Sequence, residues 1–329
     1  MRSVRVIGPA RPLVPPIVRR LAHSPGIGPV SVGEANGSDV IVHLAGAEAE
    51  EWLHDPATSA EATVRRTREV LASADAHPVK ALVHVSSATV YGAWPDNPVP
   101  LPEDAPLRPN PGFGYARAQA EAERLVAEWG EDHPEVAVSV LRPAIVMGGE
   151  GPSWMSRVVG GIRTPKATDT GRPLQFVHAD DVAAAVEVAL SRELRGVYNV
   201  APDGWVADET ARALAGGVAR VSLPGWLARP LGRLGWRLRR RGTPAEALPW
   251  VSNPWVVAND RLRAEGWEPA YTNEEAFVVA EPASPISTVL GRHRQELALG
   301  ATGLVLAGAV GTLAVLLRRH HRAGGRRRS

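Results

Sequence analysis

Residues 81–92 read Ala81-Leu-Val-His-Val-Ser-Ser-Ala-Thr-Val-Tyr-Gly92. A short apolar run without polar alternation is the pattern of a strand buried on both faces, and such strands occur in parallel sheets covered by helices. The hydroxyls of Ser86 and Ser87 end the run, at the carboxyl edge where open parallel sheets bind their ligands. Tyr115 follows some two dozen residues later and opens an amphipathic stretch of helical period. A strand-end hydroxyl and a helix-start phenol can converge on one carbonyl or alcohol oxygen.

Working outward, β-branched runs alternate with longer Ala/Glu/Arg-rich stretches from Val4 to Val200. The alternation predicts βα units and a parallel sheet covered on both faces. Strands are expected at Val4 to Ile7, Val40 to Leu44, Ala81 to Ser86, Ala137 to Arg142 and Val197 to Val200, with a shorter one at Leu174 to Val177. Helices are expected at Pro16 to Ala22, Ala60 to Ala74, Tyr115 to Trp129 and Asp180 to Ser191. The fold class is α/β, with a Rossmann-type, mostly parallel sheet. It is abbreviated between its first helix and residue 39, where about 16 residues are too few for a βα crossover and a further strand, and Pro29 to Gly33 supplies one short strand at most. Residues 1–143 form the Rossmann-type domain, completed by 174–202. Residues 144–173 and 203–280 form a smaller, discontinuous substrate subdomain.

The chain has 329 residues, 44% of them hydrophobic, and no cysteine. Disulfide scaffolds, thiolate metal sites and cysteine nucleophiles are therefore excluded. No cluster of His, Asp and Glu has metal-ligand spacing, so no metal site is expected. The formal charge is +2. Setting aside the six arginines from Arg318 to Arg328 leaves a body of about −4, which argues against general binding to nucleic acid. Leu297 to Leu317 carries no charge and is long enough to cross a hydrocarbon core, which needs about 20 residues. The reading is a linker at 281–296, a membrane-spanning C-terminal apolar helix at 297–317 and a basic tail at 318–329. Met1 to Leu21 lacks the apolar core of a secretory signal. The expected location is a cytoplasmic body tethered to the cytoplasmic membrane. The arginine cluster after the span favours a cytosolic tail, whereas a cytosolic body with one span puts the tail outside, so topology stays open.

At its motif residues the sequence resembles the extended short-chain dehydrogenase/reductase family, the NAD-dependent epimerases and dehydratases of nucleotide-linked sugars. The resemblance covers about residues 4 to 280. Ser86-Ser-Ala-Thr-Val-Tyr-Gly92 is similar to the catalytic-serine strand, which implies that Ser87 hydrogen-bonds the reacting oxygen. Tyr115 matches the tyrosine of the YxxxK motif, which implies a general acid/base. Asp39-Val-Ile-Val-His-Leu-Ala-Gly46 is similar to the strand and loop beside the cofactor, and Leu141-Arg-Pro143 to the strand after the catalytic helix. Phe176-Val-His-Ala-Asp-Asp-Val182 is similar to the motif opening a later helix, and Trp255-Val-Val-Ala-Asn259 with Gly266-Trp267 to the closing segment. The resemblance implies NAD or NADP as cofactor, with Gly8, Arg11, Val14, Leu44, Ala45 and Gly46 beside it. Expected partners are a small nucleotide-linked substrate, the membrane and a second copy of the chain in a homodimer.

The sequence departs from the family where the cofactor is held. The second and third glycines of the GxxGxxG loop fall on Arg11 and Val14, and Pro9, Pro12, Pro15 and Pro16 remove N–H donors that would cradle phosphate. Arg11 could restore some attraction by charge. Glu34 stands near the spacing of a ribose-binding acid and reads equally as a turn residue. Gln119 occupies the place of the motif lysine and supplies no cation to lower the Tyr115 pKa. Arg117 lies on another side of the helix, and Thr63 stands where the family has a structural asparagine.

The retained groups also have structural readings. Ser87 and Tyr115 suit a strand end and a helix start, and Asp180 and Asp181 suit capping and the helix dipole. Arg229, Arg233, Arg237 and Arg240 recur at helical spacing, as a solvated cap helix, a clasp for a diphosphate or an interfacial helix on anionic lipid. The functional expectation is an epimerase/dehydratase-family protein with attenuated chemistry. Its alternative is a non-catalytic, membrane-tethered ligand sensor or scaffold on the same fold.

Overall fold

A computed structural model describes residues 1–33, 37–160, 173–207, 246, 249–250 and 253–280. Glu34, the Arg229 to Arg240 set, the linker, the 297–317 segment and the basic tail lie outside these residues, as do parts of the expected substrate subdomain. Among the described residues, no helix is long and apolar enough to cross a membrane.

Six parallel strands form the main sheet: β1 (Arg2–Ile7), β2 (Ile27–Val32), β3 (Val40–Leu44), β4 (Ala81–Val85), β5 (Ala137–Pro143) and β9 (Gly196–Val200). Their spatial order is β2-β1-β3-β4-β5-β9. Every residue of β3 and β4 is buried, as the unalternated apolar runs require. The order reverses between β1 and β3, and a crevice for ligands opens at such a switch point. Among the described residues the sheet ends at β2, so the shortage of residues before Asp39 appears as an edge without the further strand.

Helices cover both faces. Ile41, Leu82 and Val140 pack under α3 (Pro56–Ala76) and α4 (Gly114–Asp132) with Val70, Leu71, Val126 and Trp129. On the opposite face Val4, Val6, Val42 and Val83 join the core formed by α1 (Val14–Leu21) and α6 (Ala179–Ser191). The start of α3 is fixed locally: Pro56 sits in the first turn, and the Asp55 carboxylate accepts the Thr58 N–H at 3.1 Å.

Several boundaries differ from the sequence reading. The first helix begins two residues earlier than expected, because Pro15 and Pro16 are tolerated where helical N–H groups have no intrahelical partner. A short α2 (Ala49–His54) and α5 (Trp154–Gly160) were not expected, nor was β6 (Ile145–Met147). The strand read at Leu174 to Val177 is two strands, β7 (Pro173–Leu174) and β8 (Phe176–His178), which pair with β10 (Val206–Ala207) and β6 respectively. Between them, Gln175 donates to the carbonyls of Gly204 and Val257 and accepts the Val257 N–H. That side chain ties the 203–207 and 253–259 segments to the sheet.

The capping role assigned to Asp180 and Asp181 is also corrected. His178 is the N-cap of α6, its Nδ1 accepting the Asp180 N–H at 3.2 Å. Asp181 is buried and accepts the N–H groups of Ala270 and Tyr271, which anchors the closing segment between α7 (Asp260–Ala264) and α8 (Asn273–Ala280). Burial pushes its pKa up from the ordinary aspartate value.

Candidate active site

A cavity of about 70 Å³ opens at the carboxyl ends of β1, β3, β4 and β5. Its lining includes Ser86, Ser87 and Tyr115, Arg11, Leu13 and Leu44 to Ala47, and Pro143, Val146 and Trp154. Ser87 follows β4 directly, and its Oγ accepts the N–H and hydroxyl of Thr89 at 3.3 and 3.1 Å. This bond caps the 3-10 turn Ala88–Tyr91 and fixes the Ser87 rotamer.

Tyr115 lies in the first turn of α4, and its hydroxyl faces the Ser87 and Gln119 side chains. Burial pushes its pKa up, against the smaller opposing effect of those two hydrogen-bonding neighbours. At neutral pH the group is therefore a phenol, able to donate a proton and poorly able to accept one. Gln119 is fully buried one helical turn on, and its Nε2 donates to the Ala45 carbonyl at 3.0 Å. Its Oε1 is buried without a partner among the described residues, as is Ser86 Oγ. The structure thus brings Ser87, Tyr115 and Gln119 together. It uses one end of Gln119 to tie α4 to the loop after β3.

Thr63 is buried and donates to the Ser59 carbonyl within α3, so it makes a helix contact in the place of the family's asparagine. Arg117 is exposed, as its helical position requires. Gly8 has φ +145°, and a Cβ there would stand 2.5 Å from the Leu44 carbonyl oxygen. Only glycine permits that approach of β1 to β3.

Sequence reasoning missed the contribution of α2 and α5. Trp52 on α2 meets the Tyr115 ring edge-on at 5.2 Å, and Trp154 on α5 lies 6.3 Å from Trp52 at 28°. Glu50 and Arg157 form an ion pair that joins the two helices. A six-residue helix is too short to show a period, so the sequence carried no signal for it.

The sequence model of the NAD dependent epimerase/dehydratase family matches residues 30–201, more than half of the chain. The chain belongs to that family. An uncharacterized protein of Mycobacterium tuberculosis is 27% identical over 258 residues, covering 78% of this chain and 68% of its own length. The 3-diazoavenalumate denitrifying reductase of a Streptomyces species is 33% identical over 202 residues, 57% of this chain and 60% of the reductase. Among solved structures, the UDP-glucose 4-epimerase of Bifidobacterium longum in complex with NAD+ and UDP has a TM-score of 0.62 at 17% identity. It covers 84% of this chain and 96% of the epimerase. At that identity the likeness shows the fold.

The epimerase/dehydratase family implies a dinucleotide across the β1/β3 crevice, and the residues there fit it poorly at the pyrophosphate. Helix α1 carries Pro15 and Pro16 in its first turn, which leaves few N–H groups for an anion. The Arg11 N–H already donates to Glu48 Oε1 at 3.2 Å. A carboxylate thus stands at the turn where phosphates would approach, and like charges repel. The Arg11 side chain is the opposing cation. At the other end, Gln119 offers a single orphan acceptor and no charge.

Proposed function

We propose that this chain is an attenuated member of the epimerase/dehydratase family, one that keeps the proton-donor pocket and holds a dinucleotide weakly. The observation that carries this reading is the Arg11 N–H bonded to Glu48 in a turn followed by Pro15 and Pro16. In the retained pocket, the Ser87 hydroxyl and the Tyr115 phenol both donate hydrogen bonds to one carbonyl or hydroxyl oxygen of the ligand. Nucleotide-linked sugars are the ligand class that the epimerase and dehydratase neighbours suggest. The alternative, a ligand sensor without turnover, uses the same pocket and differs only in whether the bound oxygen reacts.

Calorimetric titration of the full-length protein with NAD, NADH, NADP and NADPH tests the reading. The expected result is no saturation below millimolar concentration. The combined variant Arg11→Gly, Val14→Gly, Glu48→Gln and Gln119→Lys is expected to bind roughly tenfold tighter or more, because it restores close backbone approach and replaces a like charge with none. Micromolar binding by the unaltered protein would overturn the proposal.

We further propose that 297–317 tethers the body to the cytoplasmic membrane, on the strength of its uncharged length. Full-length protein is then expected in the membrane fraction and to resist a high-salt wash. Recovery in the soluble fraction would refute the tether.

A further inference from the structure

Tyr115 stands in the first turn of α4, and the local sequence holds that turn weakly. Its N-cap residue is Phe113, which makes no side-chain capping bond, and the turn carries no acidic residue. A capping side chain would satisfy N–H groups left free there and favour one backbone path. Gly112 and Gly114 flank Phe113, and glycine gives the backbone its widest choice of conformation. A phenol that must meet an oxygen beside Ser87 is therefore carried on a turn that its own residues determine poorly.

Aromatic rings supply the constraint. Tyr115 is half-buried and lines the cavity. Trp52 meets its ring edge-on at 5.2 Å, with 74° between the planes, and Phe113 lies 5.9 Å away at 48°. Both separations fall in the range of about 4.5–7 Å at which ring pairs attract. Phe113 is buried in turn and packs on Trp250 at 5.5 Å. Trp52 is buried and is not one of the residues lining the cavity, so its effect on a ligand passes through Tyr115.

Trp52 is itself held by tertiary contacts, since a six-residue helix has almost no stability of its own. Glu48, the N-cap of α2, accepts the Arg11 N–H at 3.2 Å. Glu50 pairs with Arg157 on α5, and Trp154 of the same helix lies 6.3 Å from the Trp52 ring at 28°. Asp55, directly after α2, caps α3. Contacts to three other segments thus fix where the indole stands.

We propose that Trp52 is a positioning residue for the Tyr115 phenol, fixing its ring, with Phe113, so that the hydroxyl meets the ligand oxygen that Ser87 also holds. This rests on the reading of Ser87 and Tyr115 as the donors of the pocket, and it adds the device that aims one of them. The two donors are set by different means: Ser87 by its bonds from Thr89, Tyr115 by its ring contacts. Aim matters because a misplacement of about 1 Å removes much of what a positioned group contributes.

The chain has four tyrosines, so full-length protein labelled at the tyrosine Cζ with carbon-13 gives four NMR signals, and the one lost in Tyr115→Phe is Tyr115. The signals are followed from about pH 7 to about 11.5, across the ordinary phenol value of about 10. In the parent, Tyr115 is expected to titrate above that value, because burial disfavours phenolate. Trp52→Leu is expected to lower its midpoint by roughly half a pH unit or more as water reaches the freed ring, with Tyr91 and Tyr198 behaving as in the parent. Trp52→Phe keeps a ring against Tyr115 and is expected to restore most of the parent value. A Trp52→Leu protein that melts like the parent and leaves the Tyr115 midpoint unmoved would overturn the proposal. An equal shift in Trp52→Phe would do the same, as would one shared by Tyr91 and Tyr198, which marks general loosening. If Trp52→Leu does not fold, the other two proteins decide: a raised midpoint kept in Trp52→Phe supports the proposal, and a parent midpoint at or below about 10 overturns it. Calorimetric dinucleotide binding is read independently of this signal, so the pocket reading and the positioning role fail separately.

Discussion

Glu123→Ala is expected to destabilise the fold by about 3–5 kcal/mol, since it strands a buried guanidinium. Arg142 on β5 and Glu123 on α4 have side chains only 6% and 4% exposed, and Nη2 meets Oε2 at 2.6 Å. Arg142 Nε bridges both carboxylate oxygens, while Nη1 donates to the Tyr91 hydroxyl at 2.7 Å and to the Glu103 carbonyl. Tyr91 passes the chain on by donating to Asn199 Oδ1 on β9. Burial pushes the Tyr91 pKa up to about 12, so this hydroxyl remains a donor throughout the neutral range. The network clamps α4 to β5 and β9 two helical turns beyond Tyr115. Its loss therefore reaches the site through helix position. Denaturant unfolding of Glu123→Ala reads the effect. A change below about 1 kcal/mol would mean that water reaches Arg142 and that the pair has the worth of a surface ion pair. The double variant Glu123→Leu, Arg142→Leu removes both charges and is expected to recover much of the loss.

How far this arrangement is legible in the sequence depends on how local each cause is. The runs at Val40 to Leu44 and Ala81 to Val85 announce themselves, since burial on both faces leaves no polar alternation. The hydroxyls after β4 and the phenol opening α4 follow from the motif, and the structure places them face to face. The departures at Arg11, Val14 and Gln119 are likewise visible as residue types. What could not be read is where the substitutes go. Gln119 sits at the motif lysine position, but its bond to the Ala45 carbonyl depends on how the loop after β3 returns beneath α4. Glu48 lies 37 residues from Arg11, and no spacing rule connects a carboxylate in one loop to an N–H in another. Asp181 looks like a helix-opening acid and does lie in the first turn of α6, yet its carboxylate is also the acceptor for a turn some 90 residues later. Trp52 and Trp154 belong to short helices whose meeting is purely tertiary. Such contacts arise from the return path of the chain, and residue patterns record that path weakly.

Acid should weaken the protein through a pair of histidines under the same two strands. His43 on β3 and His84 on β4 are register partners in the parallel ladder, both fully buried, with their Nδ1 atoms 3.0 Å apart. Two neutral rings of opposite tautomer satisfy that contact, one Nδ1–H donating to the other Nδ1. A further proton would place a charge in the core. Burial holds the His43 pKa down at about 4, and burial together with the neighbouring His43 holds His84 well below the ordinary imidazole value. A depressed folded pKa means that the unfolded chain takes up the proton first. The stability contributed by the neutral pair is thus complete above about pH 6.5 and is lost as pH falls from there toward about 4. The shift of His43 alone corresponds to a loss on the order of 3 kcal/mol. Denaturant midpoints measured from pH 7.5 down to about 4 should fall more steeply for the parent than for His43→Leu, His84→Leu, which has nothing to protonate there. Parallel curves would assign the acid sensitivity to carboxylates and remove the pair from the account. The strands concerned end in Ala45-Gly46 and Ser86-Ser87, so a charge at His43 or His84 loosens the two loops that line the cavity beside Tyr115. Ligand binding should accordingly weaken over the same pH interval, before the fold as a whole is lost.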